Sequence, residues 1–317
     1  MKVVFLFPVY NDWDSLKILS QEIKNLSEKQ KWKDAELLIV NDASTEEIQT
    51  SPNPFKIKST ILNLFSNQGS QKAIAIGLSY LNDKNIDFDF LIIMDADGED
   101  KSPDVINLID EAKKNKMKKI LFASRAKRKQ GLFFDFFYKV YKFIFKVLTG
   151  EKFDFGHFSC IHKSLLDKVV NVQDIWSHYS AGIKKSKIPI ETIKCDRGQR
   201  IAGHTKTSKK KLFLHGLTSL SVYMETIVLN FFLASFVGVI FILFGLLAVF
   251  YLRFFTELSP AGWASNMIIG FTIILIILVL VCFLSLLNLL NKNSIIGLPL
   301  KNAYKQYIQD EIQIPVN

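Results

Sequence analysis

The chain has 317 residues, a formal net charge of +10 and 49% hydrophobic residues, an unusually apolar composition for a soluble protein. The excess of basic residues comes without a recognised nucleic-acid motif, which excludes nucleic acid as the expected partner and favours anionic lipid or phosphate ligands. The three cysteines lie far apart without metal-ligand spacing, and no signal peptide precedes the first strand. We therefore expect a cytoplasmic, reducing environment for the first part of the chain.

Short apolar segments alternate with amphipathic segments over the first 125 residues. Strands are predicted at residues 3–7, 36–40, 60–65, 88–94 and 119–124. Helices are predicted between them at residues 15–29, 71–81 and 103–115. This alternation predicts an α/β fold with a Rossmann-like, mainly parallel sheet.

Four carboxylates follow the fourth predicted strand within six residues: Asp95, Asp97, Glu99 and Asp100. Ligands bind at the carboxyl ends of the strands in open α/β sheets, and clustered carboxylates suit a divalent cation such as Mg²⁺. Further polar residues follow the other strands, namely Asp12, Asp42 and Arg125. The sequence predicts that these residues share one crevice with a metal site. The alternative is an acidic turn that merely ends the strand.

The segment from about 131 to 148 combines many aromatic residues with Lys139, Lys142 and Lys146. This pattern predicts a helix in the membrane interface, with a core helix beneath the sheet as the alternative. The segment 209–225 has a similar character and is predicted as an amphipathic juxtamembrane helix, which would leave residues 1–208 as the cytosolic domain.

Two long uncharged segments follow and predict transmembrane helices at 226–252 and 266–291, since each exceeds the about 20 residues that cross a bilayer. Lysines flank the pair on its outer sides, before the first segment and in the tail at 292–317. The positive-inside rule then places the catalytic domain and both termini in the cytoplasm. We expect a multi-pass protein of the cell (inner) membrane.

Several motifs resemble those of family 2 glycosyltransferases with the GT-A fold. They are Pro8-Val9-Tyr10-Asn11-Asp12, Asn41-Asp42-Ala43-Ser44, Asn67-Gln68-Gly69, Asp95-Ala96-Asp97-Gly98-Glu99-Asp100 and Ser124-Arg125, in that order. The later segments 154–158 and 197–206, followed by two apolar spans, are similar to the polyprenyl-phosphate glycosyltransferases. That group includes dolichyl-phosphate mannose synthase and the bacterial bactoprenol glucosyltransferases.

The resemblance implies roles for matching positions. The residues that would line the nucleotide base and ribose are Pro8, Tyr10, Asp12, Val40 and Asp42. The residues that would hold the diphosphate through Mg²⁺ or Mn²⁺ are Asp95, Ala96, Asp97 and Glu99, with Asp97 and Glu99 as the metal ligands. The residues that would contact phosphates of donor or acceptor are Arg125, Arg200 and Lys206. The resemblance also implies a homo-oligomer and a small membrane partner that flips the lipid product.

Three positions depart from the family pattern: Asp12 replaces a usual Glu, Glu99 a usual Gln, and His157 a frequent Asp. The tail after Asn291 also differs, so partner contacts do not carry over.

The expected function is inverting, metal-dependent transfer of a sugar from a UDP- or GDP-sugar to undecaprenyl or dolichyl phosphate. Asp95, Asp97, Arg125 and Arg200 are the candidate catalytic residues, and Arg125 and Lys139 the candidate contacts of the acceptor phosphate. One alternative is a membrane glycosyltransferase of cell-surface polysaccharide synthesis that acts on a lipid-linked sugar or another hydroxyl acceptor. Another is a non-catalytic membrane scaffold, against which the intact acidic motif argues.

Overall fold

The computed structural model describes residues 1–48, 52–125, 132–152, 155–196, 198–202, 216–256, 260, 262–294 and 300–316. Side chains at 125, 132–138, 288–294 and 300–301 lie outside this description. The chain forms two compact units. The first contains Met1–Val140, Lys152–Val222 and Leu298–Asn317, and the second contains Tyr141–Glu151 and Tyr223–Gly297.

The first unit is built on an eight-stranded sheet with the order β7-β5-β6-β4-β1-β2-β3-β8. The strands are β1 (Lys2–Val9), β2 (Asp34–Asn41), β3 (Lys58–Leu64), β4 (Phe90–Ile93), β5 (Ile120–Arg125), β6 (Ser159–His162), β7 (Ile190–Cys195) and β8 (Ile308–Ile314). The neighbours among β4, β1, β2 and β3 are parallel, as are β5 and β7. Within the described part of the chain, β6 and β8 are the strands that run antiparallel to their neighbours. The predicted mainly parallel α/β fold is therefore confirmed.

Helices cover both faces of the sheet. They are α1 (Trp13–Lys29), α2 (Ser70–Asp83), α3 (Asp104–Lys114), α5 (Lys163–Val170) and α6 (Tyr179–Lys185). A further helix, α4 (Leu132–Thr149), begins in the first unit and ends in the second. Because alternate residues of a strand face opposite sides, β1 contributes to two cores. Phe5 and Phe7 pack with residues of α1 and α3, whereas Leu6 packs with residues of α2 and α5. A Cβ atom at Gly77 would lie 2.4 Å from Leu6 Cδ1, so α2 sits close on the sheet.

Some elements of the first unit carry too little apolar pattern to be predicted. The strand β6 has only four residues, and β8 has the polar sequence Gln-Asp-Glu-Ile-Gln between two isoleucines. The β8 strand is mainly exposed because it is an edge strand, so burial does not demand apolar side chains along it. Part of the segment after the second apolar helix, which the sequence indicated only as a tail, thus joins the sheet of the first unit.

The second unit contains two apolar helices, Met224–Phe255 and Trp263–Ser294. Both are long and apolar enough to cross a membrane, and in their most apolar windows only 17% and 0% of residues are buried. Such exposure differs from that of a core helix in a soluble protein. The helices pack against each other where glycines face large side chains, with a Cβ at Gly245 placed 2.9 Å from Phe271 Cζ. Small residues allow this close approach in membrane helices.

The end of α4 also belongs to the second unit and presents apolar side chains outward. Phe143, Ile144 and Val147 are exposed, whereas Phe145 is buried against the ring of Tyr223, with 5.5 Å between the ring centroids. Within the segment predicted as a juxtamembrane helix, residues 216–221 are helical, and 209–215 lie outside the described residues.

Candidate active site

The parallel strands place three predicted polar clusters side by side. The β1 strand lies between β2 and β4, so the segments that follow these three strands meet at one edge of the sheet. Asp12 follows β1, Asp42 follows β2, and the acidic turn at residues 95–100 follows β4. Arg125 ends β5 at the same edge, but its side chain lies outside the described residues.

The acidic turn is folded around its own carboxylates. The Asp95 amide donates to Asp100 Oδ2 at 3.1 Å, and the Glu99 amide donates to Asp97 Oδ1 at 3.0 Å. Gly98 has φ +79°, a left-handed conformation that glycine adopts without strain. The short turn therefore brings several carboxylates to the end of β4, while Ala96 between them is buried in the core.

Arg200 joins the acidic turn to the end of β1. Its Nη1 lies 3.3 Å from Asp97 Oδ2, its Nη2 donates to Asp12 Oδ1, and its Nε donates to the carbonyl of Ala202 at 3.1 Å. The three charged side chains are each less than a quarter exposed, so solvent screens these ion pairs weakly. The guanidinium is thus held in a fixed position at the sheet edge, beside the two carboxylates.

Residues 198–202 lie directly over the acidic turn. The Gly198 amide donates to the Glu99 carbonyl at 2.8 Å, and the Ile201 amide donates to the Asp97 carbonyl at 3.0 Å. Two glycines permit this contact, because a Cβ at Gly98 would lie 2.3 Å from Ile201 Cδ1 and one at Gly198 would lie 2.7 Å from the Gly98 carbonyl oxygen. The sequence suggested a role for Arg200 by resemblance, but it did not indicate this main-chain contact.

The surroundings of Asp97 disfavour its negative charge. Burial raises the pKa of its carboxyl to about 7, the neighbouring Asp95 adds repulsion, and Arg200 opposes both effects. Carboxylates crowded in this way accept a cation readily, since it removes the repulsion among them.

Asp95, Asp100 and His157 form a group in which one ligand atom of each lies within 4.8 Å of the others. The Nε2 atom of His157 lies 2.9 Å from Asp95 Oδ1. Carboxylate oxygens with an imidazole nitrogen fit a divalent cation such as Mn²⁺ or Mg²⁺. Asp100 and His157 were not among the predicted ligands. Asp100 was visible in the sequence as part of the acidic motif. His157 was visible as a position at which the sequence differs from the family pattern.

The predicted metal ligands Asp97 and Glu99 lie in the same turn, where the Glu99 amide donates a hydrogen bond to the Asp97 carboxylate. Their role as metal ligands stays a prediction.

Asp42, one of the residues predicted to line the nucleotide, holds neighbouring backbone segments through hydrogen bonds. Its side chain is buried, and its Oδ1 and Oδ2 accept hydrogen bonds from the Gln68 and Gly69 amides at 2.6 and 2.8 Å. Its own amide donates to the Val9 carbonyl at 2.8 Å. Asp42 therefore connects the end of β1 to the loop that follows β3.

The other predicted residues occupy different settings. Pro8 is buried in β1, and Tyr10 is partly exposed directly after it. Val40 is fully buried in the core beneath α2, so its side chain packs against apolar residues there. Lys139 is exposed on α4. Lys206 lies outside the described residues, as do Arg197 and Asp154 of the later motifs.

Comparison with known proteins identifies the class to which this site belongs. The family model for glycosyl transferase family 2 matches residues 5–171, which is more than half of the chain, and the chain belongs to this family. The protein is therefore a glycosyltransferase of family 2.

Particular relatives match more of the chain. An uncharacterized glycosyltransferase of Bacillus subtilis (strain 168), YkcC, is 24% identical over 273 residues, covering 83% of this chain and 80% of the relative. Mannosyl-3-phosphoglycerate synthase from Rubrobacter xylanophilus has a similar structure, with a TM-score of 0.49, 14% identity, and coverage of 70% of this chain and 72% of that chain.

Glucosyl-3-phosphoglycerate synthase from Mycobacterium tuberculosis, in complex with Mn²⁺, uridine-diphosphate-glucose and phosphoglyceric acid, matches with a TM-score of 0.48. The identity is 10%, with 71% of this chain and 79% of that chain covered.

Proposed function

We propose that this protein transfers a sugar from a UDP- or GDP-sugar to a polyprenyl phosphate at the cytoplasmic face of the cell membrane. One observation carries the proposal. The chain that gathers Asp12, Asp97 and Arg200 at its sheet edge also has two exposed apolar helices long enough to cross a bilayer. A membrane-anchored glycosyltransferase has ready access to an acceptor that resides in the bilayer.

The arrangement of charges suits loss of a nucleoside diphosphate from the anomeric carbon. Negative charge develops on the leaving group, and positive groups that are already oriented stabilise it most effectively. Arg200 is oriented by Asp12 and Asp97, and Arg125 at the end of β5 is the second candidate cation. A divalent cation held by Asp97 and Glu99, or by the group of Asp95, Asp100 and His157, would supply further positive charge.

A polyprenyl phosphate needs no base, because its phosphate oxygen is already anionic. We propose a single displacement with inversion at the anomeric carbon, in which Asp95 orients the donor sugar. Lys139 and Arg125 are the proposed contacts of the acceptor phosphate. The exposed Lys139, followed in α4 by exposed Phe143, Ile144 and Val147, supports an approach to lipid headgroups.

The sheet supports the proposed topology. Strand β8 follows both apolar helices in the chain yet pairs with β3 in the same sheet as β1. Both ends of the two-helix segment must then return to one side of any membrane that the helices cross. This agrees with cytosolic residues 1–208, a juxtamembrane segment 209–225, spans at 226–252 and 266–291, and a tail at 292–317 on the cytosolic side.

A second candidate function is transfer to a hydroxyl group of a lipid-linked sugar. The close pair of His157 and Asp95 favours it, because a hydroxyl acceptor must lose a proton to a nearby base. The two functions differ in their products. Transfer to a lipid phosphate gives an acid-labile sugar phosphate ester, whereas transfer to a hydroxyl gives a glycoside.

The test incubates the full-length protein in membranes with undecaprenyl phosphate, a divalent cation and each UDP- or GDP-sugar in turn, and identifies the lipid product by mass. We expect an acid-labile polyprenyl-phosphate sugar of inverted anomeric configuration. The Asp97→Asn variant should lose the activity, while Asp14→Asn, an exposed acidic residue on α1, should retain it. Transfer only to a lipid-linked sugar would establish the second function, and a product of retained configuration would contradict the single displacement.

A further inference from the structure

The C-terminal tail is anchored to the glycosyltransferase sheet and to α2. Strand β8 pairs with β3 along the sheet edge. Just before it, the buried Tyr304 donates its hydroxyl hydrogen to Asp83 Oδ2 at 2.6 Å, and its ring meets that of Tyr80 edge-on at 6.2 Å. Lys305 also lies 3.1 Å from Asp83 Oδ2. These contacts fix the tail beside the loop that connects β3 to α2, which comprises residues 65–69.

Tyr307 of the tail contacts the chain on both sides of this β3–α2 loop. Its carbonyl accepts a hydrogen bond from the Phe65 amide at 3.1 Å. Its ring lies under the ammonium group of Lys72, with 4.9 Å between Nζ and the ring centroid. A cation over an aromatic face is attracted by the ring quadrupole. One residue of the tail thus holds the entrance of the loop and the first turn of the helix that follows it.

Lys72 needs this support. It occupies the first turn of α2, where the helix dipole disfavours a positive charge. Two contacts offset the unfavourable position: the Tyr307 ring, and the side-chain carbonyl of Gln68, whose Oε1 accepts a hydrogen bond from Lys72 Nζ at 3.2 Å. Lys72 therefore contacts both Tyr307 of the tail and Gln68 of the β3–α2 loop.

Gln68 and Gly69 in turn hold Asp42 through the two amide hydrogen bonds described above. Gly69 has φ +84°, which lets both amides face the buried carboxylate before the helix begins. A displacement of the loop would break two hydrogen bonds to a buried carboxyl group, which is unfavourable. The positions of the loop and of Asp42 are therefore coupled.

We propose that Tyr307 is a positioning residue for the donor nucleotide, acting through Lys72 and the β3–α2 loop on Asp42. The inference rests on the proposed function in one respect, the assignment of Asp42 to the nucleotide. Tyr307 fixes the shape of the donor site and takes no part in the displacement itself. Its loss weakens donor binding and leaves the turnover of bound donor and the binding of the acceptor unaffected.

The test compares Tyr307→Ala, Tyr307→Phe and Lys72→Met in the full-length protein. For Tyr307→Ala we expect the Kd for UDP or GDP, measured by titration calorimetry, and the KM for the donor sugar to rise about fivefold, the effect of losing one partly exposed cation–π contact. The kcat and the acceptor KM should stay within about twofold of wild type. Tyr307→Phe keeps the aromatic ring and should show the wild-type nucleotide Kd and donor KM.

Lys72→Met keeps the apolar stem, and it should reproduce the effect of Tyr307→Ala. The double variant should bind the nucleotide no more weakly than either single variant, because both substitutions remove the contact between Lys72 and the Tyr307 ring. Tyr304→Phe is the matched control. It removes the hydrogen bond from the tail to Asp83 without touching Lys72, and we expect an unchanged nucleotide Kd.

Several results would overturn the inference: an unchanged nucleotide Kd in Tyr307→Ala, additive effects in the double variant, or an equal weakening in Tyr304→Phe, which would indicate tail docking in general. Absence of sugar transfer to any polyprenyl phosphate by the wild-type protein would contradict the proposed function alone. The nucleotide Kd would still test the role of Tyr307, because that measurement needs no acceptor.

Discussion

Replacement of Asp97 by Asn should stabilise the metal-free protein while it abolishes transfer. The folded structure raises the pKa of this carboxyl from 3.8 to about 7, with burial as the main cause and Asp95 as the next. A group that binds its proton more tightly when folded loses stability as the pH rises above its unfolded pKa. The cost therefore grows from about pH 4, and it is complete above pH 7. Asn carries no charge, so the Asp97→Asn variant does not lose this stability.

The size of the effect follows from the same pKa values. The interval from 3.8 to about 7 corresponds to at most about 4 kcal/mol, at about 1.4 kcal/mol for each pH unit. Asn also weakens the ion pair with Arg200, although Arg200 keeps Asp12 as a partner, so the net gain is smaller. We expect a gain of about 2 kcal/mol at pH 8, which raises the unfolding midpoint by roughly 5 °C.

The assay is thermal unfolding of the full-length protein in detergent with a chelator, at pH 5 and pH 8. The stabilisation by Asp97→Asn should be clear at pH 8 and much smaller at pH 5, and Mn²⁺ or Mg²⁺ should stabilise the wild type more than the variant. Asp14→Asn, at an exposed position, should change neither midpoint. An Asp97→Asn variant that is no more stable than the wild type at pH 8, or equally stabilised at both pH values, would refute the reasoning.

Three further predictions concern the site and the apolar helices. Arg200→Met should lower kcat by a factor of about 10² to 10³, because a fixed cation is lost from the leaving-group site. Steady-state kinetics with saturating donor would measure kcat. A decrease of less than tenfold would contradict the role of Arg200 at the leaving group. Gly98→Ala should also lower kcat at least tenfold, since the added methyl group meets Ile201 and strains a left-handed turn. Gly150→Ala, another left-handed glycine with open space around it, separates backbone strain from the clash. Gly245→Ile should separate the two apolar helices at Phe271 and lower the temperature of the unfolding midpoint. Gly270 has open space around it, so Gly270→Ile should leave the midpoint unchanged. Equal midpoints for the two variants would contradict close packing at Gly245.

The individual parts of the site were predictable because they follow strands with strong local patterns. The run at residues 88–94 predicted a buried strand, and the carboxylates after it predicted a ligand-binding edge. Parallel pairing of β4, β1 and β2 then brings Asp12, Asp42 and Asp97 to one edge of the sheet. The contact of Arg200 with Asp97 joins residues that are 103 positions apart, and the sequence indicated Arg200 only through the family resemblance, as a contact of phosphates.

The local pattern of the sequence by itself determined the alternation of strands and helices, the acidic turn and the two apolar helices. Each depends on apolar spacing or on residues adjacent in the chain. Only the tertiary structure decided which distant side chains meet. The grouping of Asp95, Asp100 and His157 depends on how β4 and β6 pair. The place of the polar tail as strand β8 is decided by backbone hydrogen bonding at an open sheet edge, which constrains side-chain identity weakly.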